Sequence, residues 1–251
     1  MTGAAMAYAQ TRMQARLGAC APEAAWQTLS AIAAFRSFLE QARTTALQPW
    51  LHNLSPIATR YDVERLLRVT LHARIEELAR WLPPAQQPAL RWTGMLVDLP
   101  AIAHLLRGGE PLAWMRDEPV LKPLAVVDSA QRAATLAQGE TAPLARAAKA
   151  YSLLDRWLDE WRRRLPARER VRVEPLVRRV RAALAVSTEG FMSHDSTEQQ
   201  RALETRLVFE FRRRFLEPAA AYAYLLRVAC EFTRVRGALL GRLAFSEASR
   251  P

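Results

Sequence analysis

The chain has 251 residues with 36 basic against 25 acidic side chains, a formal net charge of +11. Alanine (45), leucine (35) and arginine (34) dominate, while valine and isoleucine together number only 18, so a β-rich fold is excluded. The length buries a full core without disulfides, and Cys20 and Cys230 lie too far apart to suggest a CxxC or Cys/His site.

The first helix is signalled by Met6, Ala9, Met13, Leu17 and Cys20 at three- and four-residue steps, ending near Gly18–Pro22. A second is expected from about Trp26 to Leu47, stopped by Gln48-Pro49. Ser55-Pro56 reads as a helix start, with Ser as N-cap and Pro at the first position. Val63, Leu67, Leu71, Ile75, Leu78 and Leu82 then form a long apolar stripe up to Pro83-Pro84. Prolines 88, 100, 111, 119 and 123 and the Gly108-Gly109 pair break the next segment, leaving one short helix at Leu99–Arg107. Helices follow over Pro123–Gln138, Pro143–Leu165 and Glu169–Val186. A polar stretch, Ser187–Ser196, reads as a loop. Helices Ser196–Leu216 and Pro218–Leu243 close the chain. The expectation is an all-α fold above roughly 60% helix. No linker divides residues 1–251, so they read as a single all-helical domain, with possible modules 1–110 and 111–251.

Catalytic signatures are missing. There is no phosphate-binding glycine loop, no HExxH and no GxSxG elbow. His52, His72, His104 and His194 never stand three or four residues apart, so no helix offers a two-histidine metal edge. Ser193-His194-Asp195 holds triad residue types, but adjacent residues cannot adopt the triad's geometry. Glu76-Glu77 and Asp159-Glu160 sit beside arginines at helical spacing and read as ion pairs. The reading is a protein without catalytic residues, cofactor or metal. No secretory leader and no stretch long and apolar enough to span a bilayer is expected.

Charge concentrates in two places. Residues 156–181 contain ten arginines against four acids, and Arg212-Arg213-Arg214 form a second cluster. Guanidinium forks pair with carboxylates bidentately, which suits an acidic protein partner. The same charge fits an arginine-rich nucleic-acid-binding or regulatory protein, the alternative function.

Four stretches together resemble one family, one of them Phe38–Thr45, which is similar to the end of its second helix. Ala7–Leu17 is similar to the opening helix of the C/d family of V/A-type rotary ATPase stalk proteins, d being the eukaryotic name. Asp98–Pro111 resembles an internal element of that family, and Glu217–Arg242 its final helix, with Glu231 at the acidic position. The acid-plus-four-plus-eight spacing of Asp98, Ile102 and Leu106 recurs at Glu231, Val235 and Leu239. The family's asparagine is replaced by Ala101 in one copy and Arg234 in the other. The resemblance is to a shortened and divergent member. It implies repeat-like helical modules in a funnel-shaped array. It also implies a non-catalytic central-stalk connector that links the axle subunits to the membrane rotor ring in proton or sodium transport. Such a protein would be cytoplasmic and held at the membrane through its complex, with no nucleic acid and no membrane span. Candidate partner-binding residues are Arg212, Arg213, Arg214, Arg234 and Arg236. Asp98 and Glu231 are the structural residues of the family motif. Gly237 and Gly241, four apart, would permit a close helix approach in the last helix.

Overall fold

A computed structural model describes residues 2–145, 152–189 and 195–248. The protein is 78% helical, and no strand occurs among the described residues. The all-α class follows from the Ala, Leu and Arg content as expected.

The described contacts divide the chain into two compact units. One combines Met1–Pro83 with Arg168–Pro251, and the other is Pro84–Ala167. The first unit is therefore discontinuous in sequence, which is why no linker marks it.

In the discontinuous unit the helices are α1 (Thr2–Gly18), α2 (Glu23–Ser30), α3 (Phe35–Arg43), α4 (Gln48–Leu51) and α5 (Arg60–Trp81). The other unit contributes α6 (Gln87–Trp92), α7 (Met95–Leu106), α8 (Ser129–Leu136), α9 (Ala142–Ala145) and α10 (Leu153–Arg164). The chain closes with α11 (Ala167–Glu189), α12 (Asp195–Arg213) and α13 (Pro218–Ala248).

The 31-residue α13 packs against α12, α5, α1 and α3. Ala219, Ala220, Ala221 and Ala223 are fully buried at its start, where small side chains let neighbouring helices come close. Val228, Val235, Leu239 and Leu243 continue the buried stripe along its length. From α5 the stripe Val63, Leu67, Leu71, Ile75 and Leu78 is buried as its spacing requires. Met6, Ala9 and Met13 of α1 and Leu207 and Phe211 of α12 complete this core.

Several boundaries differ from the sequence expectation. The helix expected over Trp26–Leu47 is two helices, broken between Ser30 and Phe35. Arg242 of α13 explains the break. Its guanidinium donates to the carbonyls of Ile32 (2.7 Å) and Leu29 (2.9 Å) and lies 3.9 Å from the Phe38 ring centroid. These carbonyls, one in the last turn of α2 and one just past it, are satisfied by a residue more than 200 positions away, so α2 needs no continuation. Gln48-Pro49 opens α4 instead of ending a helix. Ser55-Pro56 does not start α5. Thr59 does, in a capping box: its hydroxyl accepts from the Asp62 N–H (3.2 Å), and Asp62 accepts from the Thr59 N–H (2.8 Å).

In the second unit, α7 begins at Met95 and runs through Pro100. Burial of Met95, Leu99, Ile102 and Leu105 offsets the hydrogen bond that proline cannot donate. Gly108 ends the helix in the left-handed region (φ +86°), and the Gly109 N–H returns to the His104 carbonyl (3.0 Å). A Cβ at Gly109 would fall within 2.6 Å of the His104 ring and would displace it, while Gly108 is favoured by its positive φ. Trp92 and Trp157 cross-brace α6 and α10. Each indole N–H donates to the other's backbone carbonyl, at 3.0 and 3.1 Å. Trp161 stacks on Trp157 with centroids 6.1 Å apart.

The polar stretch expected over Ser187–Ser196 is partly helical. α11 reaches Glu189, and Asp195 is the first residue of α12. Ser193 and His194 lie outside the described residues.

Candidate functional site

Glu231 is 3% exposed at the middle of α13, among the helices of the discontinuous unit. One carboxylate oxygen accepts from the Ala21 backbone N–H (3.3 Å) and the other from the Trp50 indole N–H (2.9 Å). The Trp50 ring is in turn covered by the Arg74 guanidinium, 4.0 Å from its centroid. Glu231 thus fastens the α1–α2 turn and α4 to α13. A carboxylate is needed because two donors of different elements converge on one buried point, and an ionised acceptor binds them more strongly than a neutral one. Cys20 lies nearby, and burial, helped by the Glu231 charge, pushes its thiol up to about 11. It stays protonated and unreactive near neutral pH.

Asp98 is 1% exposed in the first turn of α7, in the other unit. The two acidic positions of the sequence echo are therefore both buried, each in its own unit.

The arginines divide into two groups. Arg234 grips Glu23 with both terminal nitrogens (2.7 and 2.9 Å) and lies over the Trp26 ring at 4.4 Å. Arg201 of α12 donates to the same carboxylate (2.6 Å). Hydrogen bonding from Arg234 holds the Glu23 carboxyl below its ordinary range. Arg236 pairs in a fork with Glu64 of α5. Arg214 donates to Glu210 (3.0 Å) and to the Arg172 carbonyl (3.1 Å). Arg227 is buried against Glu204 at 3.4 Å. All of these brace the unit internally.

Arg212 and Arg213 are different. Both are exposed, and neither forms an ion pair with a described residue. With Ala202, Thr205, Arg206 and Phe209 they make one exposed face of α12, at the i, i+4, i+7 and i+11 spacing of a single helical side. Phe209 is 60% exposed, and past the helix end Phe215 is 59% exposed. Leu216 follows at φ 63°, the only described non-glycine in the left-handed region. That conformation costs an L-residue roughly 1–2 kcal/mol. Exposed aromatic rings, exposed guanidinium groups and a strained turn coincide at one end of α12. Strain of this kind persists where surroundings or function maintain it.

The span of residues 156–181 is less available than its charge suggests. Arg163 and Arg164 both bind the buried Glu160 (2.7 Å), Arg156 donates to the Leu144 carbonyl (2.7 Å), and Arg162 pairs with Asp159. Glu77, expected to pair along its own helix, instead accepts from Arg16 of α1 (2.9 Å). Arg242 and Glu23, which hold α2 in place, carry no local pattern that sequence spacing could reveal.

Among the described residues no three His, Cys, Asp or Glu side chains converge as a metal site needs. No helix of the described residues is long and apolar enough to cross a membrane. Comparison of the chain with protein-family models, with curated proteins and with solved structures gives no match.

Proposed function

We propose that the protein is a non-catalytic connector that docks on acidic partner surfaces through the outer face of α12. The functional analogy is with the C/d stalk proteins of V/A-type rotary ATPases. In that setting it would join axle subunits to the membrane rotor ring, with helical modules arranged as a socket and the ATP chemistry performed elsewhere.

The observation that carries the docking face is the contrast among the arginines. Arg214, Arg234 and Arg236 are engaged within their unit, whereas Arg206, Arg212 and Arg213 stand outward beside Phe209 and Phe215. Guanidinium groups with aromatic neighbours are the composition of interface anchors. The rotary-ATPase analogy is supported by the packing of the chain's two ends. α1 and α13, which carry two of the four resembling stretches, lie against each other, with Glu231 closing the turn that follows α1.

The test of the face is the double variant Arg212→Glu/Arg213→Glu. Arg214 is left intact because reversing it would place a carboxylate beside buried Glu210. The double variant is expected to keep its helicity and thermal transition and to lose its acidic partner at moderate salt. Retention of the partner with the same salt dependence as the unmodified chain would remove the face from the account.

A further inference from the structure

A cavity of about 460 Å³ opens in the discontinuous unit between α1, α4, α5 and α13. Arg16, Arg74 and Arg80 all border it, together with the aromatic rings of Trp81 and Tyr224. Glu77 is the single carboxylate on its wall, and Glu77 is already bound to Arg16 at 2.9 Å. Arg74 and Arg80 form no ion pair with any described residue. Among the described residues the cavity wall therefore carries three guanidinium groups against one carboxylate.

Arg74 is the informative member. It is half-buried, stacked on Trp50, and its burial makes its charge less favourable. The opposite charge acting on it most strongly is that of Glu231, whose oxygens are occupied by Ala21 and Trp50. A half-buried guanidinium, without a carboxylate ion-pair partner among the described residues, borders an open space walled by two further arginines. Removing a charge from water is costly unless an opposite charge meets it. An oxyanion in the cavity would supply that charge and accept the fork of donors an arginine presents. The volume is far larger than an isolated phosphate needs and lies in the range of small-molecule sites, roughly 300–1,000 Å³. Trp81 and Tyr224 offer the apolar surface on which the rest of such a molecule would lie.

We propose that this cavity binds a small molecule bearing a phosphate or carboxylate group on a planar apolar body, its anion held by Arg74 and Arg80. The site is independent of the docking face on α12 and does not rest on the connector reading.

The experiment is calorimetric titration of the full chain at constant ionic strength with three probes: phenyl phosphate, benzoate and inorganic phosphate. Phenyl phosphate or benzoate is expected to bind more tightly than inorganic phosphate, and which of the two wins names the anion. Binding of inorganic phosphate as tightly as the ring-bearing probes would limit the site to a free anion and overturn the part of the proposal concerning the body. Arg74→Gln and Arg80→Gln are each expected to weaken binding about tenfold or more, the loss of a charge-assisted hydrogen-bonded pair. Arg80 is exposed and forms no ion pair among the described residues, so its variant keeps the test valid should Arg74→Gln disturb the stack on Trp50. No heat above that of a chloride control for any probe, or affinity unchanged in Arg80→Gln, would overturn the site.

Discussion

Glu231 and Glu160 are the two buried carboxylates whose partners are clearest, and they make opposite demands. Glu231 receives two neutral donors from distant segments, Ala21 and Trp50. Glu231→Gln keeps the shape but replaces an ionised acceptor with one amide oxygen, leaving one of these donors facing an NH₂ group. The expected cost is roughly 1.5–3 kcal/mol, the range for a hydrogen bond to a charged group, read as a lower urea midpoint with unchanged slope. A midpoint within error of the unmodified chain would mean that the contact contributes little. Glu160 receives arginine donors instead, and hydrogen bonding from Arg163 lowers its carboxyl below the ordinary range. Glu23 is lowered in the same direction, with Arg234 as the first cause. The folded carboxyls thus release their protons more readily than the unfolded ones. Their stabilisation is complete above about pH 4.3, the ordinary glutamate value, and is lost as pH falls through the lower folded values. Melting temperature should therefore decline on acidification below about pH 4, and Glu160→Gln should flatten part of that decline. An equal slope in the variant would assign the acid sensitivity to other groups.

Helices were legible wherever one apolar stripe explains the whole segment. The stripe of α5 from Val63 to Leu78, and that of α13 from Val228 to Leu243, follow directly from three- and four-residue spacing. Boundaries failed where a long-range partner decides them. The gap after α2 depends on Arg242, and α7 extends upstream through Pro100 because its buried side chains outweigh a lost hydrogen bond. Gly237 and Gly241 are a correction of another kind. A Cβ at either would meet no atom of the described residues within 4 Å, so neither serves a close helix approach among them. Glycine costs a helix interior roughly 1 kcal/mol against alanine, with no gain here to offset it. Gly237→Ala and Gly241→Ala are each expected to raise stability by up to about 1 kcal/mol in urea melts. A loss of stability would show that these positions need their glycine after all.

Taken whole, the chain shows why its charge was easier to read than the placement of its arginines. Net charge and clustering pointed to Arg212–Arg214, and within that cluster Arg212 and Arg213 are exposed while Arg214 turns back to Glu210. Arg234 and Arg236 sit on α13 at positions where only the fold reveals that Glu23 and Glu64 come to meet them. The cavity beside Arg74 draws its wall from α1, α4, α5 and α13, so no stretch of sequence displays it. The two compact units likewise depend on residues 168–251 returning to residues 1–83, a closure that local composition does not announce. The connector reading joins the α12 face to the packed ends of the chain, and its direct test is physical association. The affinity-tagged full chain, expressed in its native cells, should be recovered from gently solubilised membranes and the accompanying proteins identified by mass spectrometry. The expected result is stoichiometric recovery of rotary ATPase axle and rotor-ring proteins. Recovery of the intact, folded chain without any such protein, across preparations in which the ATPase itself stays assembled, would contradict the account.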